Sequence, residues 1–506
     1  MSEQQKTVRI DRRAILKGGT AVAAVGALSG VFGASSSARA KEETPPRPHI
    51  VYIVSDDQGW RDAGFNGSPD IRTPNLDKLA RGGAVFDQFY ALPMCTPSRA
   101  TLMTGRYPFR YGLQTGVIPS GGDYGLALDE YLLPQALSDA GYRTAMVGKW
   151  HLGHARREFW PRQRGFDSYY GPLVGEIDHF RHASHGVVDW YRDNTLLHED
   201  GYDTDLFGAE AVKIIRGHDK TTPLFLYLAF TAPHTPYQAP KPWLDAYADI
   251  SDESRRAYAA QISSMDDAIG KVVAALEESG LRQNTLIVFH SDNGGTRSAM
   301  FAGESAVKGE LPPNNGVYRD GKGTLYEGGT RVAGFANWPG AVQAGHVKGP
   351  VHIADMFPTL AALAGAKTDK AKPMDGVNVW GAVAKGEASP RTEVVYNIEP
   401  YRVGVRQGDL KLIWAPILPG KLELYDLADD PSETKNLAAA NPQQVEKLQK
   451  RAEQLSKEAI PPLLIGQMIK TTFSAPPSTP QGDAPAPTAP KNASKGFLSD
   501  LERADD

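Results

Sequence analysis

Four apolar runs, each followed closely by polar side chains, constrain this chain more than any other feature. "HIVYIVSDD" closes on Asp56 and Asp57, and "YRTAMVG" is followed by Lys149 and His151. "PLFLYLAF" (223–230) is followed by His234, and "TLIVFHSDN" (285–293) closes on Asp292 and Asn293. Runs that are apolar on both faces suit strands buried in a mostly parallel sheet. Helical signals lie between them. "TPNLDKLARGG" offers Thr73 as N-cap, Pro74 in the first turn and Gly82 as stop. A second helix is predicted from about Pro134 to Gly141. A third places Tyr258, Ile262, Met265, Ile269, Val272 and Leu276 on one face before Gly280. Alternating strands and helices of this kind predict a layered α/β fold. In open α/β sheets ligands bind at the carboxyl ends of the strands. One Asp or His there would be a loop residue or a cap; the recurrence at four strand ends points to a site.

After about residue 390 the pattern changes. "TEVVYNI", "YRVGVRQGDLKLIWA" and "LELYDLADDPSETKNLA" read as short antiparallel strands, followed by a polar helix near 441–457. The expected organisation is a leader at 1–40, a catalytic domain at 41–390, a C-terminal subdomain at 391–470 and a Pro/Ala-rich disordered tail at 471–506. The leader reads as a twin-arginine signal peptide. Arg12 and Arg13 precede Ile15 and Leu16, a Gly/Ala-rich run follows, and Ala38-Arg39-Ala40 offers a cleavage site. The expected mature protein starts near Lys41 and is periplasmic or secreted after passage through the twin-arginine (Tat) translocon, with no stable membrane association. The whole chain carries a net charge of −4, which becomes −8 once a leader with six basic and two acidic residues is removed. With no long Lys/Arg run, such a chain has no field to attract nucleic acid. An anionic substrate would have to be held by cations confined to a pocket.

Asp56, Asp57, Asp292 and Asn293 are hard oxygen donors, a set that suits Ca²⁺, in preference to Mg²⁺, over zinc. Cys95 is the only cysteine of the 506 residues, so no intrachain disulfide can form. Thr96 reads as an N-cap, Pro97 as the first helical residue and Gly105 as a stop. Cys95 is thereby placed at the mouth of a short helix, where an anion is favoured, with Arg99 near its first turn. A lone buried cysteine is ordinarily inert, but these polar neighbours count against that reading. A thiolate nucleophile is one possibility the residues leave open.

These residues carry a resemblance. "CTPSR" with "ATLMTGR" resembles the type I sulfatase signature, in which the cysteine is oxidised to formylglycine (3-oxoalanine). "GYRTAMVGKWHLG" resembles the second signature of that family, and "DDQGW", "TAPHTPY", "SDNGG" and "GKGTLYEGGTR" follow its order from about residue 48 to 435. "YGLQTGVI", "LDEYLLPQALSDAGY", "RGFDSYYG" and "LFLYLAF" look most like arylsulfatase B, the N-acetylgalactosamine-4-sulfatase group, with Gln58 a departure from its leucine. The resemblance implies an alkaline-phosphatase-like α/β/α sandwich with a large, mostly parallel mixed sheet and a small C-terminal α+β subdomain built on an antiparallel sheet. It implies that Asp56, Asp57, Asp292 and Asn293 hold Ca²⁺ together with modified Cys95. Arg99 and Lys149 would fix the formylglycine hydrate and His151 would hydrogen-bond to it, while His234 and Lys322 would face the sulfate, either of them protonating the leaving oxygen. The partners implied are a sulfated carbohydrate or aryl sulfate and, during maturation, a formylglycine-generating enzyme. Rival readings are a phosphomonoester or phosphonate ester hydrolase on the same fold, and a non-catalytic binder of sulfated glycans. The histidines of "DHFRHASH", His179, His182 and His185, read as a surface or substrate-rim loop.

Overall fold

The computed structural model describes residues 47–301, 303, 310–417 and 420–473. The expected leader, and the expected tail beyond 473, lie outside the described residues. The four apolar runs form His49–Ser55, Arg143–Gly148, Leu224–Ala229 and Thr285–Ser291. They lie side by side, with Ser168–Gly171 added, as the parallel centre of a ten-stranded sheet. Shorter strands flank this centre. Gly334–Asn337 pairs antiparallel with Thr285–Ser291, and Tyr191–Arg192 pairs antiparallel with Ser168–Gly171.

Period-two alternation divides each central strand between two cores. Ile50, Tyr52 and Val54 join Phe225, Tyr227 and Ala229 beneath one layer of helices; Val51 and Ile53 join Leu224, Leu226 and Leu228 beneath the other. The first layer holds the helices Cys95–Thr104, Leu133–Asp139 and Met356–Ala364. The second holds Pro74–Arg81, Asp203–Arg216 and the long helix Glu253–Glu278. The arrangement is the expected α/β/α sandwich. At one close crossing of the chain, Gly148 adopts φ 106°, and a Cβ there would lie 1.9 Å from the Ala229 carbonyl oxygen. Only glycine fits.

Residues 393–426 form the expected antiparallel sheet of four strands, Glu393–Ile398, Val403–Gln407, Leu410–Ala415 and Lys421–Asp426. The helix Pro442–Ser456 starts on proline and turns Val445, Leu448, Ala452 and Leu455 onto this sheet. Tyr107 and Phe109 reach the same cluster from the large sandwich. A further helix, Leu463–Phe473, is absent from the sequence reading and runs past position 471. It packs through Leu463 beside Gly112, a contact that no local pattern announces. Leu448 is 1 % exposed in its cluster. Leu448→Ala should therefore destabilise the protein by about 3 kcal/mol, read as a lower urea midpoint; an unchanged midpoint would show that this helix contributes little packing.

Candidate active site

Strand register assembles the site before any side chain is considered. Ser55 pairs with Ser291 and Ala229 with Gly148, so the next residues, Asp56, Asp292 and Lys149, emerge at one sheet edge. Backbone bonds extend the ladder past the strands: Asp292 N donates to Ser55 O (3.0 Å), Asp56 N to Ala232 O (3.0 Å) and Lys149 N to Ala229 O (2.8 Å). Asp57 and His151 both occupy the left-handed region, at φ 62° and 57°. For non-glycine residues that is strain of the kind held at functional sites.

Cys95 opens its helix as the first helical residue, with Met94 as N-cap. The expected cap, Thr96, lies inside the helix instead. Its hydroxyl donates to His151 O (3.1 Å) and accepts from Ile118 N (3.2 Å), which ties the helix to the His151 loop. The Cys95 Sγ lies 3.4 Å from Asp56 Oδ1 and 3.8 Å from Asp57 Oδ1. Arg99 turns inward, its guanidinium donating to Asp292 Oδ2 (Nε 3.0 Å) and to Lys149 O (3.0 Å). Lys149 Nζ donates to Asp56 Oδ2. Lys322 Nζ donates to Asp57 Oδ2 (2.7 Å) and lies 3.1 Å from His234 Nε2. Asn293 Nδ2 donates to Asp57 Oδ1 (2.8 Å), and Asp57 N to Asp292 Oδ1 (3.2 Å). All ten residues predicted from the sequence are buried; nine are joined to one another by these contacts, while His151 is tied to the group only through the Thr96 bond to its backbone carbonyl.

Their charges are strongly coupled. Burial, then Asp292, push Asp56 up to about 7, against the pull of Lys149 and Arg99. Burial acts the same way on Asp57, but Lys322, His234 and Lys149 overcome it and hold that carboxyl well below the usual range. Burial and Lys322 push His234 down to about 3, and burial with Lys149 and Arg99 lowers His151 well below its ordinary value. Burial and Asp292 push the Cys95 thiol well up.

The site has donors that could hold a metal ion. Ligand atoms of Asp56, Asp57, Cys95 and His234 lie within 4.8 Å of one another. Asn293 Oδ1 is buried without a hydrogen-bond partner among the described residues. An orphaned carbonyl oxygen beside two carboxylates is what an oxygen-liganded ion would satisfy. His234, read from the sequence as facing the substrate, borders this group as well. Gln58 points away from it, donating from Nε2 to Asp62 O (3.1 Å).

Some supporting residues were missed. Thr296 donates to Asp57 Oδ2 (3.1 Å), and its place three residues after Asn293 was a usable signal. His179 and His182 correct the surface reading of "DHFRHASH". His179 is fully buried, with Nδ1 against Asp203 Oδ2 (2.8 Å) and Nε2 against the His234 carbonyl (3.1 Å); His182 stacks on Trp190 with ring centroids 4.1 Å apart. Their burial comes from the way residues 172–200 fold back, which nothing local in the sequence encodes.

Comparison with known proteins agrees with this geometry. A family profile described as Sulfatase matches residues 48–366. Arylsulfatase J of Mus musculus is 36% identical over 471 residues, covering 82% of this chain and 77% of that protein. N-acetylgalactosamine-6-sulfatase of Mus musculus is 35% identical over 375 residues, covering 70% of this chain and 69% of that protein. Among solved structures, Ps i-CgsB in complex with k-i-k-neocarrahexaose superposes with a TM-score of 0.75 at 32% identity, covering 85% of this chain and 100% of that chain. With the signature residues gathered at one sheet edge and the family matched over most of its length, the chain belongs to the type I sulfatase family and is a sulfuric ester hydrolase.

Proposed function

We propose that this protein is an exported, formylglycine- and Ca²⁺-dependent sulfatase acting on a sulfated carbohydrate. The observation that carries the reading is the position of Cys95, with Sγ facing two carboxylates inside a ring of cations. A thiolate there would add a negative charge beside Asp56, Asp57 and Asp292, whereas the aldehyde formed on oxidation, once it has added a water molecule, would offer two neutral hydroxyls. Oxidised to formylglycine by a maturation enzyme, residue 95 would supply a hydroxyl nucleophile toward sulfur. Ca²⁺ held by Asp56, Asp57, Asp292 and Asn293 would supply Lewis-acid polarisation of a sulfate oxygen.

The chain's own residues do the rest. Three buried acidic side chains, Asp56, Asp57 and Asp292, face three buried cations, Arg99, Lys149 and Lys322, so each acid meets opposite charge before any ion or substrate enters. Lys149 and Lys322 line the anion's side of the site and neutralise oxygens as charge shifts to the leaving group. His234 Nδ1 donates to Thr235 O (2.8 Å), which leaves Nε2 as an acceptor for the Lys322 ammonium. The mobile proton therefore sits on Lys322, which makes Lys322 the donor to the leaving oxygen. His151 Nε2 donates to Ile118 O (3.1 Å), and its Nδ1 is buried with no hydrogen-bond partner among the described residues. We assign that nitrogen as the base that would take a proton from hydrated residue 95.

A sulfated sugar is the substrate class favoured by the relatives, one named for N-acetylgalactosamine and one solved with a neocarrahexaose. Export through the twin-arginine route fits the leader sequence, and no helix among the described residues is long and apolar enough to cross a membrane.

Mass spectrometry of the tryptic peptide carrying residue 95 should show a hydrazine-reactive aldehyde in active protein; an ordinary thiol would overturn the reading. Given sulfate and phosphate monoesters of one aryl alcohol, the enzyme should release sulfate faster. Asp292→Ala should weaken Ca²⁺ binding measured by calorimetry, and full activity of the native enzyme in excess chelator would contradict the metal assignment. A Cβ at Gly175 would lie 2.1 Å from His151 Cε1. Gly175→Ala should thus displace the imidazole and lower kcat on the order of a hundredfold with little change in thermal midpoint; an unaltered kcat would remove His151 from the mechanism.

A further inference from the structure

Lys322 sits on a segment, "RDGKGTLYEGG", that is rich in glycine and has little regular structure, yet its ammonium must be held between Asp57 and His234. Backbone bonds fix part of the segment: Lys322 N donates to Gly295 O (3.2 Å) and Gly323 N to Pro93 O (2.8 Å). Further anchors come from the C-terminal subdomain.

Glu327, five residues past Lys322, is fully buried and accepts hydrogen bonds from Lys411 Nζ (2.9 Å), Tyr396 OH (3.0 Å) and Tyr90 OH (2.8 Å). Lys411, on the strand Leu410–Ala415, is equally buried and also pairs with Glu433 Oε1 at 2.8 Å. Glu433 in turn accepts from the Glu327 backbone N–H (2.7 Å) through its other oxygen. Its carbonyl accepts from Arg319 Nη1 (3.0 Å), three residues before Lys322, and the same nitrogen donates to Tyr425 OH (3.0 Å). Glu433 does this from left-handed backbone, φ 55°. Both ends of the Lys322 segment are thus held by residues 411, 425 and 433.

A buried ion-pair network is a poor source of net stability, because desolvation offsets most of its attraction. Its physical strength is geometric: an unpaired buried Glu327 is so costly that the segment has one admissible placement. We propose that Lys411 and Glu433 are positioning residues for the sulfate-facing Lys322, so that the C-terminal sheet sets the geometry of the catalytic loop. This rests on the role given to Lys322 above.

Steady-state kinetics on an aryl sulfate with the full-length mature enzyme test it, comparing Lys322→Ala, Lys411→Met, Lys411→Arg, Glu433→Gln and the double variant Lys322→Ala/Lys411→Met. Lys411→Met and Glu433→Gln should each lower kcat by about tenfold or more with a smaller change in KM, and Lys411→Arg should restore part of the loss. Because Lys411 acts through Lys322, the double variant should be no slower than Lys322→Ala alone, within about threefold. Losses that multiply in the double variant, or a Lys411→Met enzyme with wild-type kcat beside a crippled Lys322→Ala, overturn the inference alone. A Lys322→Ala enzyme with wild-type kcat overturns the role of Lys322 first, and the inference with it. Should Lys411→Met fail to fold, Tyr396→Phe removes one bond to Glu327 with every charge retained, and the same lack of additivity with Lys322→Ala decides the question.

Discussion

Three carboxylates, Asp56, Asp57 and Asp292, lie in a space where each is almost completely removed from water, and the fold around them is organised by the need to offset their charge. Leaving any one of them unpaired would cost several kcal/mol. Arg99, Lys149 and Lys322 supply the compensation, and each arrives from a different part of the chain: the first turns of the Cys95 helix, the end of a central strand and a glycine-rich loop. Those three cations would be joined by the charge of any metal ion the site takes up, which would favour an anionic ester there.

Parallel strands make this possible at small entropic cost. Their carboxyl ends point the same way, so residues distant in sequence meet without long loops. The register of Ser55 with Ser291 puts two of the carboxylates side by side, and the extension of the ladder to Ala232 draws in the segment that carries His234. Behind that segment the buried His179–Asp203 pair holds the His234 carbonyl, and Tyr258 bridges Gly59 N and Asp62 to steady the turn after Asp57. The reacting groups stand on a rigid support of satisfied hydrogen bonds.

The C-terminal sheet is joined to the sandwich in two ways. One face shares an apolar cluster with Tyr107 and Phe109, and the other meets Tyr90, Leu325 and Tyr326 around the Glu327–Lys411 pair. Arg391 adds a buried fork onto Asp355 beneath the Cys95 helix. Through these contacts the subdomain reaches the segment that carries Lys322.

Much of this was legible in the linear sequence. Continuous apolar runs identified the parallel centre, and the polar residues just beyond them identified a buried candidate site, because strand burial and the position of strand ends both follow from local pattern. Thr96 misled as a cap because its hydroxyl found long-range partners, His151 O and Ile118 N, in place of its own helix. His179 misled because short-range polarity resembles a surface loop when the burial is supplied by chain from elsewhere. The helix Leu463–Phe473 went unseen because its packing surface lies at Gly112 and Gly116, some 350 residues away.

The sequence by itself determined the residue types, their order and the strand ends on which they stand, since those depend on side-chain chemistry and short-range periodicity. Only the tertiary structure decided which cation faces which carboxylate, which nitrogen of His151 and His234 is bound to a backbone carbonyl, and which remote residues contact the Lys322 segment. Those are matters of distance and desolvation, and they come into existence only when separate segments exclude water from one another.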